Sequence, residues 1–152
     1  LIDGVAIAIS PSPFGPHERI ISRLSRMIGN EIDAKHLPCE VYTALDWIMN
    51  ESTVVRPDLI VVCGDQPERH LERPPVLVVE VLSDSTRRLD LIAKREHYSE
   101  QKVPHYLIID PGDRSIEHVT AKGSSRYAAD ETIELSLQPD CRVSIECSLL
   151  FD

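Results

Sequence analysis

Seven consecutive residues, Val76 to Leu82, are apolar except for one carboxylate, Glu80, and they follow the paired prolines Pro74 and Pro75. A short run of this composition, bounded by punctuation, reads as a strand buried on both faces. A carboxylate in such a strand is costly unless it is hydrogen-bonded, paired with a cation or bound to a metal. Something must therefore meet Glu80. A second run, Leu59 to Cys63, is rich in β-branched residues, is stopped by Gly64 and is opened by Pro57 and Asp58. It reads as another buried strand with Asp58 at its mouth.

The 152 residues, 42% of them hydrophobic, supply one core, so a single domain over residues 1–152 is expected. The first residue is Leu rather than Met, which fits a start downstream of a native N-terminal segment. The sequence holds no charged-then-apolar leader and no long apolar span, so a cytoplasmic protein with no membrane partner is expected. Cys39, Cys63, Cys141 and Cys147 are scattered, form no Cys-x-x-Cys pair and fall in or beside apolar runs. They read as reduced core thiols, with zinc as the alternative.

Taken in order, Val5 to Ile9 resembles an outer strand ended by Pro11 and Pro13. Pro16 then fits a first helical turn, and Ile20, Ile21, Leu24 and Ile28 recur at helical spacing to about Ala34. His17 falls on or beside the packing face of that helix. Arg19, Arg23 and Arg26 form a separate stripe, either a solvated face or a phosphate contact. Cys39 to Ile48 reads as one long strand antiparallel to the Asp58 strand, with Asn50 to Thr53 as the turn between them. Gly64 to Pro75 is a polar loop. Ser83 to Thr86 offer N-caps for a helix to about Gln101, on which Leu91, Lys94 and Tyr98 share one stripe. Val103 to Ile109 is a further strand, joined by the Asp110 to Asp113 turn to a partner at Ile116 to Thr120. Segments at Arg126 to Ala128, Thr132 to Leu137 and Arg142 to Cys147 form a β meander ending in a terminal turn.

Asp58, Glu80 and Lys94 together are a set that holds Mg²⁺ or Mn²⁺. Hard divalent ions take oxygen ligands, here the two carboxylates and the backbone carbonyl of Val81, while a lysine orients an attacking water and faces developing negative charge. Each residue also has a plainer reading. Asp58 can be a turn residue, Glu80 a structural ion-pair partner, Lys94 a snorkelling lysine and His17 a core-edge histidine. Other chemistries lack their motifs: the six glycines form no phosphate loop, and neither a Gly-x-Ser-x-Gly elbow nor a His-x-x-x-His pair occurs.

Pro57-Asp58, then Glu80 in a second apolar strand, then a basic helix resembles the PD-(D/E)XK nuclease superfamily. More specifically, four stretches resemble a large bacterial family of restriction-endonuclease-like proteins of unknown function. They are Ser10 to Pro13 with His17, Thr53 to Leu59, Val78 to Ser83 with Ser85-Thr86, and Asp90-Leu91 with Lys94 and Tyr98. The last runs on into Val103-Pro104, Tyr106 and Asp110-Pro111. The resemblance implies an α/β fold with a restriction-endonuclease-like central mixed β-sheet flanked by helices, with additional β-hairpins. It also implies Mg²⁺-dependent cleavage of DNA, with Asp58 and Glu80 as metal ligands. Leu82 stands where the superfamily's motif lysine would be, and Lys94 takes its place from the following helix. Asp84 stands where the family commonly has proline, which affects the helix entry.

The leading expectation is therefore a metal-dependent DNA endonuclease with Asp58, Glu80 and Lys94 as catalytic residues. His17, Asp90 and Tyr98 are accessory, and Arg19, Arg23, Arg87 and Arg88 are candidate DNA contacts. A homodimer is expected, because two-fold paired sites cut both strands most simply. The net charge of −9 argues against coating nucleic acid by charge alone. With the scarcity of aromatic residues for base stacking, it favours the alternative of a catalytically silent domain of the same fold that binds nucleic acid or a protein partner; a different metal-dependent phosphoesterase acting on RNA or nucleotides is the third reading.

Overall fold

A computed structural model describes residues 1–6, 14–83 and 88–152, with the backbone alone at 88–90. The two buried runs are strands β4 (Leu59–Cys63) and β5 (Leu77–Val81), and every residue of β5 is buried. They lie inside a six-stranded sheet of order β1-β4-β5-β6-β7-β8, with β1 at Cys39–Thr43, β6 at His105–Asp110, β7 at Ser115–Thr120 and β8 at Gly123–Ala128. β5 and β6 run parallel, and the other neighbours are antiparallel. Parallel neighbours require a crossover, which is made by helix α2 (Arg88–Glu100).

Alternation along the strands assigns the two faces. Leu59, Val61, Leu77, Val79, Val81, Leu107 and Ile109 face one core. That core is covered by helix α1 (Gly15–Ala34), by a separate hairpin of β9 (Thr132–Gln138) and β10 (Cys141–Glu146), and by the short helix α3 (Ser148–Phe151). Ile60, Val62, Val78 and Ile108 face a second core, shared with Tyr98 of α2 and with a hairpin of β2 (Trp47–Asn50) and β3 (Thr53–Val55). Helices α1 and α2 end in the same way. His36 and Lys102 adopt left-handed φ of 52° and 58°. Their amides bond Asp33 and Ser99, and the next residues, Leu37 and Val103, bond back to Ile32 and Tyr98. This paired closure satisfies carbonyls left open at a helix C-terminus.

Three expectations from the sequence need correction. The strand from Cys39 stops at Thr43, because Ala44 turns the chain with a φ of 57°. The Asn50 turn therefore joins β2 to β3, where Asn50 Oδ1 accepts from the backbone and hydroxyl of Ser52. At the N-terminus, Ile2 and Val5 exchange backbone hydrogen bonds around Asp3 and Gly4 as a tight turn, and the rest of the expected outer strand, with residues 7–13, lies outside the described residues. Finally, Cys39 and Cys63 form a disulfide rather than two reduced thiols, because the β1–β4 register sets them directly opposite each other. Cys141 and Cys147 are free, and burial pushes the Cys147 thiol up to about 11, which keeps it protonated and inert.

Candidate active site

Glu80 lies on the α2 face of β5, next to the carboxyl end of the parallel pair, and only 5% of it is exposed. Its Oε1 accepts a hydrogen bond from the Tyr98 hydroxyl at 2.9 Å and sits 3.2 Å from Lys94 Nζ. Tyr98 and Lys94 are one helical turn apart on α2, so a single helix face supplies both partners. Removal from water nevertheless dominates, and burial pushes the Glu80 carboxyl up to about 7. The Lys94 ammonium opposes that rise, the nearby charge of Asp58 adds to it, and the Tyr98 hydrogen bond opposes it.

Asp58 precedes β4. Leu59 pairs with Val79, so one further step of the antiparallel register brings position 58 opposite position 80. Asp58 Oδ2 accepts from the backbone N–H of Val81 at 2.8 Å and lies 3.3 Å from His17 Nε2. The side chain of His17 is buried on the first turn of α1, and its Nδ1 is 3.2 Å from Glu18 Oε1. Three elements thus converge at one end of the sheet: the start of α1, the junction of β4 and β5, and the inner face of α2. Asp58 retains 20% side-chain exposure and Lys94 17%, so the centre is reached from solvent.

Asp58, Glu80, Lys94, His17 and Tyr98 are therefore brought together. Val81 enters through its N–H, which fixes Asp58, a role the sequence reading did not assign it. Arg19 is exposed on α1, whereas an N–H of Arg23 donates to the carbonyl of Leu150 at 3.4 Å. Arg87 lies outside the described residues, as do the side chains of Arg88 and Asp90. Trp47 was also missed. It is fully buried and stacks on Tyr98 with centroids 5.8 Å apart and an interplanar angle of 12°, while Tyr106 meets Tyr98 edge-on at 4.8 Å. The aromatic sandwich holds the ring that hydrogen-bonds Glu80. The only Trp of the sequence, opening the apolar run Trp47-Ile48-Met49, was the available signal.

Two carboxylates, a lysine and a histidine grouped at the carboxyl edge of a mixed sheet, with helices on both faces, define a restriction-endonuclease-like α/β protein. The family model Uma2, described as "Putative restriction endonuclease", matches residues 1–149, and the chain belongs to that family. A crystal structure of an Anabaena variabilis protein, described as a putative nuclease belonging to DUF820, superposes with a TM-score of 0.76 at 16% identity. The match covers 93% of this chain and 83% of that one and establishes the shared fold. No curated protein matches the chain. Among the described residues no helix is long and apolar enough to cross a membrane.

Proposed function

We propose that this protein is a metal-dependent DNA endonuclease of the PD-(D/E)XK type, hydrolysing phosphodiester bonds with Asp58, Glu80 and Lys94 as its catalytic residues. The observation that carries the proposal is the placement of the Glu80 carboxylate, buried 3.2 Å from Lys94 and opposite position 58 across the strand pair; burial first, and the charge of Asp58 to a lesser degree, push it up to about 7. A divalent cation beside such a carboxylate and its acidic neighbour stabilises the ionised form.

The donor set fits Mg²⁺ or Mn²⁺. Among the described residues no three His, Cys, Asp or Glu side chains form a metal-holding group. The donors of this proposal are the carboxylates of Asp58 and Glu80 and the backbone carbonyl of Val81. Mg²⁺ is usually bound in this way, by one or two carboxylates with waters and substrate phosphate completing its shell. A bound ion lowers the pKa of a coordinated water and polarises a phosphoryl oxygen. Lys94, 3.2 Å from Glu80, presents a fixed positive charge where negative charge develops. Tyr98 and Val81 N–H hold the two carboxylates in place, and His17 supports Asp58 from the α1 side. A homodimer in the cytoplasm that cuts both strands of a duplex completes the proposal.

The test is cleavage of supercoiled plasmid with Mg²⁺, Mn²⁺ or EDTA, beside Asp58→Ala, Glu80→Ala and Lys94→Ala. Metal-dependent nicking lost in all three variants is the expected result, and nicking that persists in EDTA would refute it. One observation favours a second reading. The Glu80, Lys94 and Tyr98 contacts form an internally paired set that serves equally in a catalytically silent domain binding nucleic acid or a protein partner. That reading predicts wild-type binding in the Glu80→Gln variant.

A further inference from the structure

A groove of about 470 Å³ runs between α1 and β1, lined by Glu18, Ile21, Ser22, Ser25, Arg26 and Thr43. It opens directly beside the site. Glu18 at one end touches His17, which reaches Asp58, and Thr43 pairs with Leu59, the residue after Asp58. The arginine stripe of α1 divides here. Arg23 is half-buried against the Leu150 carbonyl, while Arg26 is exposed on the groove. Ser22, Ser25, Arg26 and Thr43 make no side-chain hydrogen bond or ion pair among the described residues.

We propose, resting on the nuclease reading above, that this groove carries the sugar-phosphate backbone of the substrate strand away from the cleavage site, with Arg26 as its cationic phosphate contact. Hydroxyls and guanidinium groups are the side chains that commonly position a phosphate backbone without reading bases. The lining supplies three hydroxyls and one guanidinium in a protein of net charge −9, so local charge rather than overall charge guides the strand. The acidic member of the lining, Glu18, sits at the catalytic end beside His17, leaving the far end cationic. Arg26 is nine residues beyond His17, roughly 13 Å along the helix at 1.5 Å per residue. A stacked strand advances about 3.4 Å per nucleotide, so Arg26 meets a phosphate about three to four nucleotides from the site. Arg26 is therefore a positioning residue that sets affinity for strands long enough to reach it.

The test is fluorescence anisotropy of labelled oligonucleotides, single- and double-stranded, in EDTA over a salt series, with plasmid nicking in parallel. Arg26→Ala is expected to weaken binding of a 12-mer about tenfold, the scale of one charged hydrogen bond, and to lower the salt slope by about one. Arg26→Lys should retain the slope, Lys122→Ala on the β7–β8 turn should match wild type, and a dinucleotide should bind wild type and Arg26→Ala alike. Wild-type slope and affinity in Arg26→Ala, in a protein that does bind and nick DNA, would overturn the groove and leave the nuclease standing. No binding of any oligonucleotide and no nicking by wild type would overturn both.

Discussion

Replacing Glu80 with glutamine removes a titration while keeping the shape of the side chain, and the structure sets how large the effect on stability should be. Folding raises the Glu80 carboxyl from its ordinary value of 4.5 to about 7. The folded state therefore binds this proton more tightly than the unfolded chain does. Below about pH 4.5 the group is protonated in both states. As pH climbs through the window from 4.5 to 7 the folded state is progressively penalised, because it must ionise a carboxyl that burial holds neutral. At 1.36 kcal/mol per unit, the contribution lost between about pH 5 and about pH 8 is roughly 2 to 3 kcal/mol. The difference in unfolding free energy between wild type and Glu80→Gln isolates it, since the other titrating groups are common to both proteins. With EDTA present, Glu80→Gln should gain on wild type by that amount as pH rises, about 5 to 10 °C in midpoint for a chain of this size. Urea unfolding at the two pH values is the assay. A wild-type-minus-variant difference that stays flat with pH, or that grows in favour of wild type, would refute the burial argument and the assignment of Glu80 as the strained carboxylate.

Other expectations follow from the same geometry. Tyr98→Phe deletes the hydroxyl that donates to Glu80, and should cost about 1 to 2 kcal/mol in urea unfolding at neutral pH, and less where Glu80 is protonated. Reducing the Cys39–Cys63 bridge, or replacing both cysteines with alanine, frees a loop spanning 24 residues; loop entropy puts the loss at about 3 kcal/mol, read as the shift in urea midpoint with and without dithiothreitol. Burial pushes His118 down to about 4, helped by His105 at 2.9 Å, so the unfolded chain takes up this proton first as pH falls below about 6.5. Stability should fall across that window towards pH 4, more steeply in wild type than in His118→Gln. Magnesium titration followed by calorimetry should give a binding isotherm in wild type and none in Asp58→Ala, and equal isotherms would exclude Asp58 as a ligand.

The residues of the site were legible because each breaks a local rule: a carboxylate in an apolar strand, a lysine inside a packing stripe, a histidine on a helix's buried side. Such violations need compensation, and at this site the violations compensate one another. What was not legible depended on which strand lies beside which. Cys39 and Cys63 became partners only through the β1–β4 register, and the N–H of Val81 reached Asp58 only through the β4–β5 register. The long strand drawn from Cys39 to Ile48 failed on one residue, because nothing about Ala44 signals a left-handed φ. The β9–β10 hairpin was visible as strands, but its place over the α1-side core rests on packing alone.

The parallel pairing of β5 and β6 has a consequence for how the chain comes together. Neighbours joined through a helix meet only after the intervening segment has closed a long loop, and such contacts form late and slowly. Glu80 sits in the first of these strands, its two partners on the helix between them, and Asp58 and His17 arrive from earlier in the sequence. A chain emerging during synthesis thus carries no complete centre until α2 has docked. Partly folded or truncated molecules hold only isolated, solvated side chains. Assembly of the centre therefore reports the docking of α2 on the β4–β5 pair and the start of α1, an event of tertiary packing that no single segment of the chain can complete by itself.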